Sequence, residues 1–262
     1  MLREVAIAAR NVVLGGNFKA LSFLGKPKEG VTYVGECLFL ERMMRPRGDL
    51  PQRHVWEVLG AKSDVPLVLS PRALGDWFTQ VASWQADLIG LCVLCQLTRP
   101  KRIFEIGTLH GSSAFQMALN APQAEIFTLD LEGPQHLKTT DVDMHYAAEG
   151  KKRKLVFAGL PEEQRIKALY GDSATFDFDP FRGSIDLFFI DGAHSYDYVK
   201  ADTMKALACM REGGIIAWHD YGRCGVNGVS KWLNEFRAEG NDVQRIPGGS
   251  LAYMISERGR RG

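Results

Sequence analysis

Arg102-Ile-Phe-Glu105-Ile-Gly107-Thr-Leu-His-Gly111-Ser-Ser113 reads as a short apolar strand, Arg102–Ile106, running through a Gly/Ser turn into a helix over Ala114–Leu119. The same alternation continues downstream. Glu125–Leu129 reads as a second strand, a third precedes Gly171, and Ile185–Ile190 is a fourth. A helix beginning near Ser195 carries Tyr196, Val199, Thr203, Ala206, Leu207 and Met210 on one face, with Gly213-Gly214 expected to end it. Gly214–Trp218 is then the fifth strand, and a helix follows around Val229–Arg237. Two closing strands, Val243–Ile246 and Leu251–Ile255, are joined by Pro247-Gly-Gly, a turn short enough to require antiparallel pairing. Upstream, Ser70-Pro71 supplies an N-cap and a first-turn proline. Leu74, Trp77, Phe78, Val81, Leu88, Leu91 and Cys95 keep helical spacing until Pro100. Strands alternating with helices imply an α/β fold with a doubly wound, mostly parallel sheet of seven strands.

The remainder of the chain is less regular. Residues 1–70 form an irregular, partly helical N-terminal extension, with a helix expected around Val5–Val13 and punctuation at Gly15-Gly16, Gly25-Lys-Pro27 and Arg45-Pro-Arg-Gly48. The sheet domain is placed at 71–262 and contains a polar insertion over 131–165, including the basic run Lys151-Lys-Arg-Lys154. The front segment either sets ligand choice together with residues 131–165 or packs against a second subunit, as in a homo-oligomer.

With 262 residues, 45% of them hydrophobic and 24% charged, the chain has ample material for a packed core. Lys plus Arg (32) nearly cancels Asp plus Glu (31), leaving a formal net charge of +1, which argues against a nucleic-acid partner. The longest apolar stretch, Leu88–Leu97, is half of the ~20 residues that a bilayer requires, so no membrane partner is expected. Glu4 and Arg10 interrupt the N-terminal apolar residues where a secretory core would lie, and the chain reads as cytoplasmic. Its five cysteines (37, 92, 95, 209, 224) fit that placement. Cys92-Val-Leu-Cys95 has redox or zinc spacing but no second pair, and its apolar helical setting favours core packing.

Ligands of open α/β sheets sit beyond the carboxyl ends of the strands. Every unusual polar group here falls at such an end. The first strand leads to Glu105 and the turn through Ser113, the second to Asp130 and Glu132, and the third to Gly171-Asp172-Ser173. The fourth ends in Asp191-Gly-Ala-His194 and the fifth in His219-Asp220. A dinucleotide site would want G-x-G-x-x-G at the first turn, and Leu109 and Ser112 stand at two of its three glycine positions. Asp130 suits a diol, since a carboxylate accepts from both ribose hydroxyls.

Glu105-x-Gly107-x-x-x-Gly111-x-Ser113 resembles motif I of class I S-adenosylmethionine-dependent methyltransferases, in the Rossmann-like form of the catechol-type O-methyltransferases. Ile185-Asp-Leu-Phe-Phe-Ile-Asp-Gly-Ala-His-Ser-Tyr196, followed by Gly213-Gly-Ile-Ile-Ala-Trp-His-Asp220, resembles a bacterial group with cephalosporin hydroxylase-like and macrocin O-methyltransferase-like members. The resemblance covers roughly residues 75–255. It implies S-adenosyl-L-methionine as cofactor, with Gly107 and Gly111 facing its methionine part, and Ser113 within the same motif. Glu105 would then support that turn and the amino group, Asp130 the ribose, and Asp172 or Ser173 the adenine edge. It also implies a divalent cation, Mg²⁺ or Mn²⁺, at Asp191, His219 and Asp220, with His194 where the catechol-type enzymes carry a catalytic lysine. Asp191 thus borders both the cofactor and the metal.

One departure bears on the chemistry. The catechol-type pattern at the fifth strand end is Asp followed by Asn, whereas this chain has His219 followed by Asp220. Carboxylates favour Mg²⁺ and an imidazole leans toward Mn²⁺, Fe²⁺ or Zn²⁺. The expected reaction is in-line methyl transfer to a hydroxyl of a small-molecule acceptor, with His194 or His219 as base. The alternatives are metal-independent transfer with a histidine base, a nicotinamide-dependent oxidoreductase on a similar sheet, and a cofactor-binding protein without catalysis. Glu105 and Asp191 alternatively cap the following helices. Trp218, Tyr196 and Tyr221 either line an acceptor pocket or pack in core and rim.

Overall fold

The computed structural model describes residues 48–61, 64–73, 82–133, 139, 143, 154–223 and 226–256, with the backbone alone for 82–84. All belong to the unit Pro46–Gly262. The expected helix at Val5–Val13, the residues Leu74, Trp77, Phe78 and Val81, and Cys37 and Cys224 lie outside the described residues.

Seven strands form one sheet: β1 (Arg102–Ile106), β2 (Glu125–Asp130), β3 (Ile166–Tyr170), β4 (Ile185–Ile190), β5 (Met210–Trp218), β6 (Gln244–Arg245) and β7 (Ala252–Ile255). Their spatial order is β3-β2-β1-β4-β5-β7-β6. β1 to β5 are mutually parallel, and β7 is antiparallel to both neighbours. The helices are α1 (Val55–Val58), α2 (Ala82–Thr98), α3 (Ser112–Asn120), α4 (Tyr196–Cys209) and α5 (Asn227–Ala238).

A sheet covered on both faces needs strands that are apolar throughout, and β4 is buried at all of its positions. Successive side chains then feed two cores. Phe104, Ile106, Phe188, Ile190 and Trp218 join Val199, Trp232 and Phe236 of α4 and α5 on one face. Ile103, Leu187, Phe189 and Ala217 join Leu91, Leu94, Ala114 and Met117 of α2 and α3 on the other. Phe104 is the hub of an aromatic group, 5.0 Å from Phe188 and 4.8 Å from Phe181 between ring centroids. At the amino edge of the sheet the buried Asp186 accepts from the amides of Lys101 (2.7 Å) and Arg102 (2.8 Å), a structural role away from the polar strand ends.

β1 and β4 have the bounds the sequence predicts, but the boundary between α4 and β5 does not. α4 stops at Cys209, and Met210 already pairs with Ile185. The register then jumps to Leu187 opposite Ile215, so residues 211–214 bulge out of the ladder. Gly213 (φ +73°) serves this bulge rather than a helix cap. The segment ahead of residue 71 also contributes to the cores: Leu50 enters the first and Val55 the second. Arg245 of β6 makes two backbone hydrogen bonds with this segment (Arg53 N–H to Arg245 C=O 3.0 Å; Arg245 N–H to Pro51 C=O 2.9 Å).

The insertion is only partly polar. Leu155, Val156, Phe157 and Leu160 all pack into the second core, and Phe157 is fully buried. Among the described residues, no helix is long and apolar enough to cross a membrane.

Candidate active site

The carboxyl ends of β1, β2, β4 and β5 bring the predicted polar residues together, and the backbone of the first turn explains how. Gly107 (φ +100°) stands so close to β4 that a Cβ would lie 2.0 Å from the Asp191 carbonyl oxygen. Gly111 (φ +77°) lies under Phe157, whose ring a Cβ would meet at 2.5 Å. The two glycines are thus set by contacts within the chain as well as by any ligand. Leu109, at a position where a dinucleotide fingerprint has glycine, also takes a left-handed conformation (φ +49°). Its amide donates to Asp130 Oδ2 (3.1 Å), while the Leu131 amide donates to Asp130 Oδ1 (2.9 Å). Asp130 therefore holds the turn between β1 and α3 from the end of β2.

Glu105 is fully buried and accepts from the Ser113 hydroxyl and from Thr128 Oγ1 (2.5 Å). The Thr108 and Thr128 hydroxyls are in turn 2.7 Å apart. Burial pushes the Glu105 carboxyl up to about 8, against those hydroxyl hydrogen bonds and with help from the charges of Asp191 and Asp130. Asp172 turns its own loop, accepting from the Ala174 amide (2.8 Å) and from the Tyr198 hydroxyl (3.1 Å). Ser173 is buried beside it.

The densest polar group surrounds His219 and Asp220. His219 Nδ1 lies 2.9 Å from Asp191 Oδ1 and 3.2 Å from Asp220 Oδ1. Its other nitrogen, Nε2, is 3.1 Å from Asp87 Oδ2, on the far side of the ring. Burial opposes charge on this imidazole, and the Asp191 and Asp220 carboxylates outweigh it, holding its proton well above the ordinary histidine range. Asp220 has a left-handed backbone (φ +63°), which aims one oxygen at His219 and the other at His194. Arg223 Nη1 also reaches Asp220 Oδ1 (2.7 Å). Burial would raise the Asp220 carboxyl, but His219, His194 and Arg223 hold it well below the usual range.

His194 is gripped from both sides. Asp143, from the insertion, accepts from the His194 amide (3.0 Å) and pairs with Nδ1, while Nε2 is 2.6 Å from Asp220 Oδ2. Burial pulls the His194 value down, yet the two carboxylates lift it to about 10. The imidazole is thus a cation at neutral pH, with both N–H groups donating.

Asp87 and Asp143 were missed by sequence reading. Asp87 stands immediately before the apolar run Leu88–Leu97, where a charge with no solvent face is the signal that could have drawn attention. Asp143 lies in a polar stretch with no periodicity, and nothing in its context marks it. Of the aromatic residues, Trp218 and Tyr221 are core. The Trp218 indole donates to Thr203 Oγ1 (2.9 Å), and the Tyr221 hydroxyl bridges the Leu50 amide (3.0 Å) and Asn234 Oδ1 (2.6 Å). Tyr196 points its hydroxyl outward to Glu235 (2.5 Å).

Asp191, His219 and Asp220 each present one ligand atom, and these lie within 4.8 Å of one another. Two carboxylates and an imidazole form a donor set suited to a divalent first-row ion. Metal-bound imidazoles usually donate their second nitrogen to a carboxylate, which is the contact Asp87 supplies. The residues therefore fit a divalent cation.

A doubly wound sheet in this order, with an antiparallel β7 and polar groups gathered beyond β1, β2, β4 and β5, defines a class I methyltransferase fold. Residues 104–221 match the family model described as a methyltransferase domain. The match spans somewhat less than half of the chain and covers β1 to β5 with the polar residues at their ends. Among solved structures, the calicheamicin methyltransferase CalS11 is similar with a TM-score of 0.53 and 17% identity, over 76% of this chain and 88% of that one. A Klebsiella pneumoniae protein described as a candidate O-methyltransferase is similar with a TM-score of 0.50 and 20% identity, over 78% of this chain and 96% of that one. An uncharacterized protein of Sinorhizobium fredii (strain NBRC 101917 / NGR234), y4gI, is 25% identical over 176 residues, 64% of this chain. This chain spans only 18% of that relative's length.

Proposed function

We propose that the chain transfers a methyl group from S-adenosylmethionine to a hydroxyl of a small molecule, assisted by a divalent cation at Asp191, His219 and Asp220. The observation that carries this reading is the convergence of those three ligand atoms at the ends of β4 and β5, beside the Glu105 and Asp130 carboxylates at the ends of β1 and β2. The solved relatives described as methyltransferases, one of them a candidate O-methyltransferase, support the same reaction class.

Asp130, fixed by two backbone amides, accepts the ribose hydroxyls. Glu105, in its cage of hydroxyls, faces the amino group, whose positive charge favours the ionised carboxylate. Asp172 or Ser173 meets the adenine edge. When bound, a divalent cation lowers the pKa of a coordinated hydroxyl, so that an acceptor with a pKa of about 10 ionises near neutrality. His194, held as a cation between Asp143 and Asp220, keeps positive charge beside the acceptor oxygen. Alignment of acceptor and methyl group is worth about 7–11 kcal/mol of barrier when attack geometry is good.

A second reading rests on one observation. A proton on His219 Nδ1 satisfies the same two carboxylates, which supports transfer without a metal. Calorimetric titration with S-adenosylhomocysteine, with and without Mn²⁺, separates the readings. Micromolar binding is expected, with Asp130→Ala weakening it at least tenfold while the fold is retained. Absence of binding under both conditions would sink the cofactor assignment, and turnover unaffected by Asp191→Ala would sink the metal.

A further inference from the structure

The structure assigns Asp87 as a positioning residue that turns the His219 ring so that Nδ1, and not Nε2, faces Asp191 and Asp220. The inference rests on the metal reading above for its consequence, though not for its geometry. Asp87 belongs to α2, ahead of β1, while His219 ends β5. The two side chains meet as a buried pair, 2% and 3% exposed.

Asp87 is itself locked from the opposite side. Oδ1 accepts from the amides of Ser250 (2.6 Å) and Leu251 (2.9 Å), and Oδ2 accepts from the Ser250 hydroxyl (2.6 Å). The loop between β6 and β7 closes around the carboxylate so tightly that a Cβ on Gly249 would lie 2.0 Å from Oδ1. A carboxylate has only acceptor sites, so its contact with His219 Nε2 requires the hydrogen on that nitrogen. Nδ1 is thereby left to face the two strand-end carboxylates, the orientation that a cation ligand needs.

Asp87→Asn distinguishes positioning from anchoring. The asparagine carbonyl still accepts from both backbone amides, but its NH₂ group now meets Nε2 and drives the hydrogen to Nδ1, into the space the cation would occupy. In nitrogen-15 spectra of the metal-free full chain, assigned against His219→Gln, wild-type Nε2 should be protonated and shielded from solvent exchange. In Asp87→Asn the Nε2 proton should be lost, leaving Nδ1 as the protonated nitrogen. Mn²⁺ titrated alone should bind 10–100-fold more weakly to Asp87→Asn, the usual loss when an outer partner of a ligating histidine is changed. Ser250→Ala removes one contact to Asp87 and none to His219, so it should leave both readouts unchanged.

An unprotonated or freely exchanging Nε2 in the wild type overturns the assignment without recourse to any variant. So does equal loss of Mn²⁺ affinity in Asp87→Asn and Ser250→Ala with the Nε2 signal unchanged, the mark of anchoring alone. If the wild type shows the protonated Nε2 but binds no Mn²⁺, the metal reading fails and the positioning of His219 stands.

Discussion

His194 shows how far a residue's chemistry depends on what it meets. By sequence it follows β4 and precedes α4, a place for a base or for a turn residue. Its partner Asp143 decides its state, since an imidazole between two carboxylates keeps its proton. Its value is about 10 in the fold, against an ordinary 6.5, so the stabilisation is complete below pH 6.5 and disappears as the pH rises through about 10. Asp143→Ala should therefore cost about 2–3 kcal/mol at pH 6, the range for hydrogen bonds to a charged group, and much less at pH 10.5. Denaturant unfolding of the metal-free protein at the two pH values checks this, and equal penalties would show that His194 does not titrate between them. Residue identity made Glu105, Asp130, Asp191, His219 and Asp220 legible because each closes an apolar strand. Asp87 and Asp143 were opaque because the histidines they meet lie 132 and 51 positions away.

Elements were most legible where burial dictates them. β4 is apolar at every position but Asp186 and its limits were read to the residue; the Gly213-Gly214 pair misled because it has the composition of a helix end. Tertiary pairing overrides that local signal: Met210 must meet Ile185, and the glycines take up the resulting slack in β5. α2 illustrates the opposite case, in which a motif dissolves into packing. Cys92 and Cys95 are both fully buried and free, and burial pushes the Cys92 thiol up to about 12. A thiol that cannot ionise is a poor nucleophile and metal ligand. Neither Cys92 nor Cys95 should be alkylated by iodoacetamide in the native protein, whereas both should react in denaturant. Mass-spectrometric mapping reads this directly, and native labelling of either would restore the redox reading.

For the whole molecule, the useful fact is which edge of the sheet holds which polar groups. Asp186 sits at the amino edge and accepts backbone amides, whereas the carboxylates beyond the opposite edge face one another and two histidines. Folding thus concentrates like charge at one place, at a cost that a bound cation or a cationic ligand would relieve. S-adenosylhomocysteine at 100 times its dissociation constant should raise the unfolding free energy by about 2.7 kcal/mol. Denaturant titration with and without it measures that gain, which Asp130→Ala should lose at the same ligand concentration.

The grip of the β6–β7 loop on Asp87 spans 163 positions of chain. Synthesis is vectorial, so the sheet strands β1 to β5 and the helices between them are made before Ser250 exists. Until that serine and Leu251 arrive, the Asp87 carboxylate lacks three of its four partners, and the ring of His219 has no fixed bearing. The orientation of His219 is therefore fixed only in a chain translated past the β6–β7 loop.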